Sequence, residues 1–218
     1  MKLEGFLAAL SIWQREYPRW NAPVVTLIAQ HSGDPFRVLI STILSLRTKD
    51  ETTAKASERL FALADTPQKM LTLDQRQIEE AIFPVGFYRN KAGQILQICQ
   101  SLVDHYQGKV PERLEDLMAF KGVGLKTANL VLALGYQIPA ICVDIHVHRI
   151  CNRLGFLRTK TPQQSEKALR RKVPKSHWLR INDLMVAFGQ SICRPVSPLC
   201  SHCPIPHLCE RKGITKSR

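Results

Sequence analysis

A chain of 218 residues with a formal net charge of +13 can bury one good core or two small ones, and none of its apolar runs approaches the roughly 20 residues that a bilayer span needs. The opening stretch, with Glu4 among Phe6, Leu7, Leu10 and Trp13, reads as an amphipathic helix rather than a secretion signal, so the expected setting is the reducing cytoplasm. The charge is uneven: residues 146–218 hold 15 Lys and Arg against three acids, whereas residues 1–145 hold 16 against 15. These cations are interleaved with apolar Leu154, Leu169, Val173, Trp178 and Leu184, which describes a folded basic face suited to a polyanion rather than a solvated tail.

In chain order the punctuation is that of an all-α protein. Asp34-Pro35, Thr66-Pro67 and Thr161-Pro162 each offer an N-cap followed by proline at the first helical position, and Asp74 with Gln77 and Thr161 with Gln164 have capping-box spacing. Val24–Ala29 and Ala140–Val143 are apolar enough to suit either helix or strand. At Phe120-Lys121-Gly122-Val123-Gly124-Leu125-Lys126 two helices meet in a glycine turn. Leu114, Leu117 and Met118 form the apolar stripe of the first, and Ala128, Val131, Leu132 and Leu134 that of the second. Free amides in such a turn, at a helix N-terminus, can bind a phosphate oxygen without reading a base. Asp144, before Ile145-His146-Val147-His148-Arg149, is placed to cap a further helix.

The four cysteines Cys193, Cys200, Cys203 and Cys209 are spaced C-x6-C-x2-C-x5-C. Four thiolates from one short loop suit a [4Fe–4S] cluster, which needs one sulfur at each iron. Structural zinc, which usually takes two short knuckles, and disulfides, which the odd total of seven cysteines disfavours, are the alternatives. Cys99, Cys142 and Cys151 lack companions at metal spacing and read as buried thiols.

Glycine turn, lysine, capping aspartate and terminal cysteine loop, in this order, resemble the endonuclease III family of DNA glycosylases, of the helix-hairpin-helix superfamily. The resemblance covers residues 22–211. It implies an all-α, two-lobed helix-hairpin-helix glycosylase fold with a C-terminal [4Fe–4S] cluster loop at residues 193–209. One lobe would be a bundle over residues 28–138 ending in the hairpin, about 112–135; the other, residues 1–27 plus 139–218, with a cleft bringing Lys126 and Asp144 together. It implies a base-excision repair enzyme acting as a monomer on double-stranded DNA that carries damaged bases, oxidised pyrimidines foremost, or abasic sites. Lys126 would displace the base and cleave the strand through a Schiff base, and Asp144 would assist by accepting a proton or stabilising positive charge on the sugar. The helix N-terminus and the basic surroundings oppose the protonated form of Lys126.

Two further segments resemble loops that this family uses to fill the space left by an extruded base: Leu44–Asp50, with Arg47 where glutamine is common, and Val85–Lys91, with Phe87 where an aliphatic wedge is common. Gly122, Val123 and Gly124 would hold phosphate, and His146 and Arg149 would touch phosphate or support Asp144. Lys121 and Ile145 stand where the family usually has proline and threonine. Other classes remain open at this level: a monofunctional mismatch glycosylase, which normally lacks the lysine; a damaged-purine glycosylase/lyase, which normally lacks the cluster; and a non-enzymatic iron–sulfur DNA-binding protein in which Lys126 only contacts phosphate.

Overall fold

The computed structural model describes residues 1–218, and it contains helices and turns with no strand. The helices are α1 (Leu3–Glu16), α2 (Val24–Ser32), α3 (Pro35–Ser45), α4 (Asp50–Leu63), α5 (Pro67–Met70), α6 (Gln75–Ile82), α7 (Tyr88–Tyr106), α8 (Leu114–Ala119), α9 (Leu125–Tyr136), α10 (Ile145–Arg153), α11 (Pro162–Lys172) and α12 (Trp178–Ser191). The chain divides into two compact units, Val24–Ile138 and Met1–Pro23 with Pro139–Arg218.

Local chemistry starts the helices. Asp34 accepts from the Phe36 amide, Thr66 from Lys69 and Thr161 from Gln164, each before a proline that fixes the first helical φ. Asp74 and Gln77 form a complete capping box. At Thr161 the box is open, because the Gln164 side chain accepts from the Lys160 amide instead.

The Val24–Ile138 unit is built around α3, whose Val38, Leu39, Ile40, Ile43 and Leu44 are fully buried. α3 packs closely on α9, and at Gly135 a Cβ would come within 3.1 Å of Pro35 Cα, so a larger residue would push the helices apart. The apolar run from Val24 is helix α2. Of the stripe expected on α8, Leu117 is buried, whereas Met118 is 45% exposed.

The other unit places α1 against α12 and α10 between α11 and α12. Phe6 stacks on Phe156 with ring centroids 4.1 Å apart, and Trp13 lies 4.9 Å from Phe188. Burying each large ring contributes roughly 1.5–3 kcal/mol, so aromatic packing outweighs any single cap in this core. Ala140–Val143 is buried but belongs to no helix or sheet. An apolar run signals burial rather than strand pairing, and the Asn182 side chain bonds the Cys142 carbonyl in place of a ladder partner. This segment delivers Asp144 to the start of α10.

Candidate functional site

The hairpin joins α8 to α9. Gly122 has φ +79°, a left-handed conformation that a side chain would strain, and the Gln94 amide holds the neighbouring Lys121 carbonyl at 3.0 Å. The Val123 amide is used internally, on the Phe120 carbonyl at 3.0 Å, and the Val123 side chain is buried. Val123 therefore anchors the turn, and the amides of Gly122 and Gly124 are the ones left to meet an external anion. Gly124 has ordinary extended backbone, and open space lies where its Cβ would stand. Nothing within the fold demands glycine there, whereas close approach by a ligand would. α9 has no side-chain cap and no acid in its first turn, so its N-terminal amides face outward unneutralised. Lys126, the second residue of this helix, is exposed.

Asp144 is 9% exposed and caps α10: its Oδ1 accepts from the His146 and Val147 amides, both at 2.9 Å. Both bonds fall on one oxygen, which fixes the carboxylate while leaving Oδ2 available. Arg149, one turn along, donates to His146 Nδ1 at 3.0 Å, to the Gly189 carbonyl at 3.1 Å and to the Cys193 carbonyl at 2.8 Å. Burial lowers its pKa from the usual arginine value, partly countered by Cys193. Its guanidinium is thus committed to joining α10, α12 and the cysteine loop. Gly189 makes room for this joint, since a Cβ there would lie 2.7 Å from His146 Nδ1. His148 faces the other way, onto Ser165 Oγ at 2.7 Å, and burial lowers its pKa.

Arg47 and Phe87 come from loops 40 residues apart and meet, the Arg47 guanidinium lying 5.5 Å from the Phe87 ring centroid. Both are non-glycine residues at positive φ, +55° and +59°, each costing about 1–3 kcal/mol unless the surroundings enforce it. Phe87 is 60% exposed, so its ring is not part of the core. Three contacts enforce the arrangement. The Gly86 amide donates to Thr48 Oγ1 at 3.1 Å; the absent Cβ of Gly86 would sit 2.7 Å from the Arg47 carbonyl; and Lys91, 6% exposed, donates to the Leu44 and Leu46 carbonyls at 2.9 and 2.6 Å. Burial pushes the Lys91 ammonium down to about 8. Sequence reasoning passed over Lys91; the signal was a lysine at the fourth residue of a helix that follows the Gly-Phe turn, too weak to read without its distant carbonyl partners.

Cys193, Cys200, Cys203 and Cys209 all line one apolar pocket with Ile150, Leu154, Phe188 and Ile205. None of the seven cysteines is in a disulfide, and Cys99, Cys142 and Cys151 are buried and do not line this pocket. Arg153 spans the loop, donating to Cys193 Sγ at 3.4 Å and to the Arg194 and Pro195 carbonyls at 2.6 Å each, while the Arg211 amide donates to Cys209 Sγ at 3.4 Å. No three His, Cys, Asp or Glu side chains converge as a single metal ion would require.

The glycine hairpin between α8 and α9, with its uncapped helix start, is of the helix-hairpin-helix kind. A family profile described as "HhH-GPD superfamily base excision DNA repair protein" matches residues 40–175. Endonuclease III of Thermotoga maritima is 49% identical over 177 residues, covering 81% of this chain and 83% of that protein. A solved non-covalent endonuclease III–DNA complex superposes with a TM-score of 0.86 at 34% identity, covering 97% of this chain and 96% of the other. A trapped endonuclease III–DNA covalent intermediate gives 0.85 at 33%, covering 97% of each chain. The chain belongs to the endonuclease III family, and it is a base-excision repair enzyme with DNA glycosylase and abasic-site lyase activities. None of its helices is long and apolar enough to cross a membrane.

Proposed function

We propose that the enzyme removes oxidised pyrimidines from duplex DNA in the cytoplasm and cleaves the resulting abasic site, with Lys126 as nucleophile and Asp144 as its acid–base partner. The reaction requires both groups to reach the same extruded nucleoside. Neutral Lys126 Nζ attacks C1′; the C1′–N bond breaks, and its electron pair leaves with the base, which takes up a proton. Asp144 Oδ2 accepts the proton released from the amine, and its negative charge stabilises cationic character on the sugar. Opening of the sugar ring gives an imine that acidifies C2′; loss of a C2′ proton expels the 3′ phosphate, and water then hydrolyses the imine to restore the amine. What supports this reading is a feature of each unit taken by itself: Lys126 is exposed at an uncapped helix start in one, and Asp144, in the other, is buried and held through one carboxylate oxygen.

In the same reaction the amides of Gly122 and Gly124 bind a phosphate, with Val123 holding the turn, and Arg47 and Phe87 fill the void left by the base. His146 and Arg149 support Asp144 by fixing α10, a role that their carbonyl and ring contacts favour over phosphate binding. Cys193, Cys200, Cys203 and Cys209 hold a [4Fe–4S] cluster. Four thiols around one apolar pocket, spaced C-x6-C-x2-C-x5-C in one short loop, suit a cluster that takes one thiolate at each iron, whereas structural zinc usually takes two short knuckles. When bound, the cluster supplies a cross-link that orders the loop.

The decisive test is borohydride reduction on abasic DNA. Wild-type protein becomes covalently joined to the strand; Lys126→Gln does not, and loses base release and strand cleavage while its DNA affinity stays within about threefold, since one phosphate contact among several is a small share. Trapping of the Lys126→Gln protein would move the nucleophile elsewhere.

A further inference from the structure

Lys91 is a buried cation that the reaction above does not use. Its neighbours are not carboxylates but the carbonyls of Leu44 and Leu46, with Thr48 Oγ1 at 3.4 Å, so its ammonium lies among the backbone acceptors of the loop that follows α3. These partners come 43 to 47 residues earlier in the chain. The carbonyls at the C-terminal end of a helix have no intrahelical donors, and a cation there both satisfies them and complements the helix dipole. An ordinary surface contact would not take a lysine out of water for this purpose. The loop so fixed contains Arg47, and the helix that carries Lys91 begins with Phe87 as its N-cap residue. The Thr48–Gly86 bond and the close approach of Gly86 to the Arg47 carbonyl secure the same junction.

We propose that Lys91 is a positioning residue for base extrusion: it clamps the 44–48 loop onto α7 and so holds Arg47 and Phe87 in the paired, left-handed geometry with which they occupy the gap in the duplex. This rests on the reading of Arg47 and Phe87 as the void-filling pair. The clamp touches neither DNA nor the reacting sugar. Its loss therefore affects the step in which a paired base leaves the stack, and spares substrates that have no base to extrude.

The test compares single-turnover excision from a duplex containing one oxidised pyrimidine with cleavage of the same duplex carrying a preformed abasic site. Lys91→Met keeps the aliphatic stem and removes the donors; Thr48→Val, which removes the acceptor for Gly86, is a milder second probe of the same clamp. Lys91→Met lowers excision about tenfold or more and abasic cleavage by no more than about twofold, and Thr48→Val moves the ratio in the same direction. In an Arg47→Ala/Phe87→Ala background, Lys91→Met produces little further change in that ratio, because its action passes through those two side chains. If Arg47→Ala/Phe87→Ala lowers the ratio while Lys91→Met and Thr48→Val leave it unchanged, Lys91 is structural only and the proposal fails alone. If Arg47→Ala/Phe87→Ala leaves the ratio unchanged, the void-filling reading falls and takes the proposal with it. An equal effect of Lys91→Met in both backgrounds also overturns it.

Discussion

Asp144 has two tasks that ordinary mutagenesis confounds, and its geometry allows them to be separated. Oδ1 caps α10 through two amides at 2.9 Å. An asparagine carbonyl oxygen takes over both bonds, so Asp144→Asn keeps the cap and lowers stability by less than about 1 kcal/mol, whereas Asp144→Ala loses it at a cost of about 1–2 kcal/mol. For a chain of this size that difference corresponds to melting temperatures lowered by up to about 4 °C and by about 2–8 °C respectively. Catalytically the two variants are alike, since neither retains an anionic acceptor at Oδ2. Loss of a positioned general base costs about 100- to 10,000-fold in rate, and 100-fold corresponds to about 2.7 kcal/mol of barrier. Single-turnover base excision should therefore fall at least 100-fold in both variants, while cleavage of preformed abasic sites by Asp144→Asn stays within about tenfold of wild type, because an aldehyde forms the imine without a leaving base. Excision by Asp144→Asn above about a third of the wild-type rate would show that the carboxylate is a cap and nothing more. Loss of both activities in step with the melting temperature would lead to the same conclusion.

The purified protein should be yellow-brown with about four iron and four sulfide per chain, and Cys203→Ser should lose the colour together with soluble expression; one equivalent of zinc without iron after anaerobic purification would contradict the cluster. Lys167→Glu/Arg171→Glu, two exposed positions one turn apart on α11, should weaken binding to intact and damaged duplex equally and flatten the log–log salt dependence by about 0.9 for each phosphate contact removed. An unchanged slope would take α11 off the DNA face. Arg170 is a poor probe there, because it pairs with Glu166 and stacks 5.2 Å from the Trp178 ring centroid. Gly189→Ala should push α10 from α12 through His146, lowering the melting temperature by about 2–12 °C for an overpacking cost of about 1–3 kcal/mol; a wild-type melting curve would show that the joint yields freely.

What could be read in advance was what is decided locally. Asp34, Thr66, Asp74 and Thr161 announce helix starts because a cap and its amide lie within three residues of each other. The Val24–Ala29 run stayed ambiguous because even its exposed position, Leu27, is apolar and no polar face reveals its period, and Ala140–Val143, equally ambiguous, is a buried segment in neither helix nor strand. Asp144, Lys126 and the four cysteines were singled out by residue type, spacing and the family resemblance, and of these expectations the structure bears out the helix cap made by Asp144. The partners of Arg149 were not: its carbonyls belong to Gly189 and Cys193, 40 and 44 residues away, and nothing near Arg149 distinguishes a strut from a phosphate ligand. The approach of Arg47 to Phe87 was hidden for the same reason, as it depends on Lys91 reaching back 47 residues to Leu44.

One of the two units is discontinuous, and this shapes how the chain is made. Val24–Ile138 is complete as soon as residue 138 leaves the ribosome, but the unit containing α1 awaits Pro139–Arg218. Phe6, Leu10 and Trp13 bury themselves against Phe156, Leu184 and Phe188, residues synthesised some 150 to 180 positions later. At about 5–20 residues per second, those side chains wait roughly 10–40 s without their partners. In the last part of that interval, after residue 138 has emerged, α1 is an amphipathic segment with its sticky face uncovered, tethered to a finished bundle. Slower translation between residues 139 and 188 prolongs that exposure, so the nascent enzyme is at greatest risk of aggregation after its first unit has already folded.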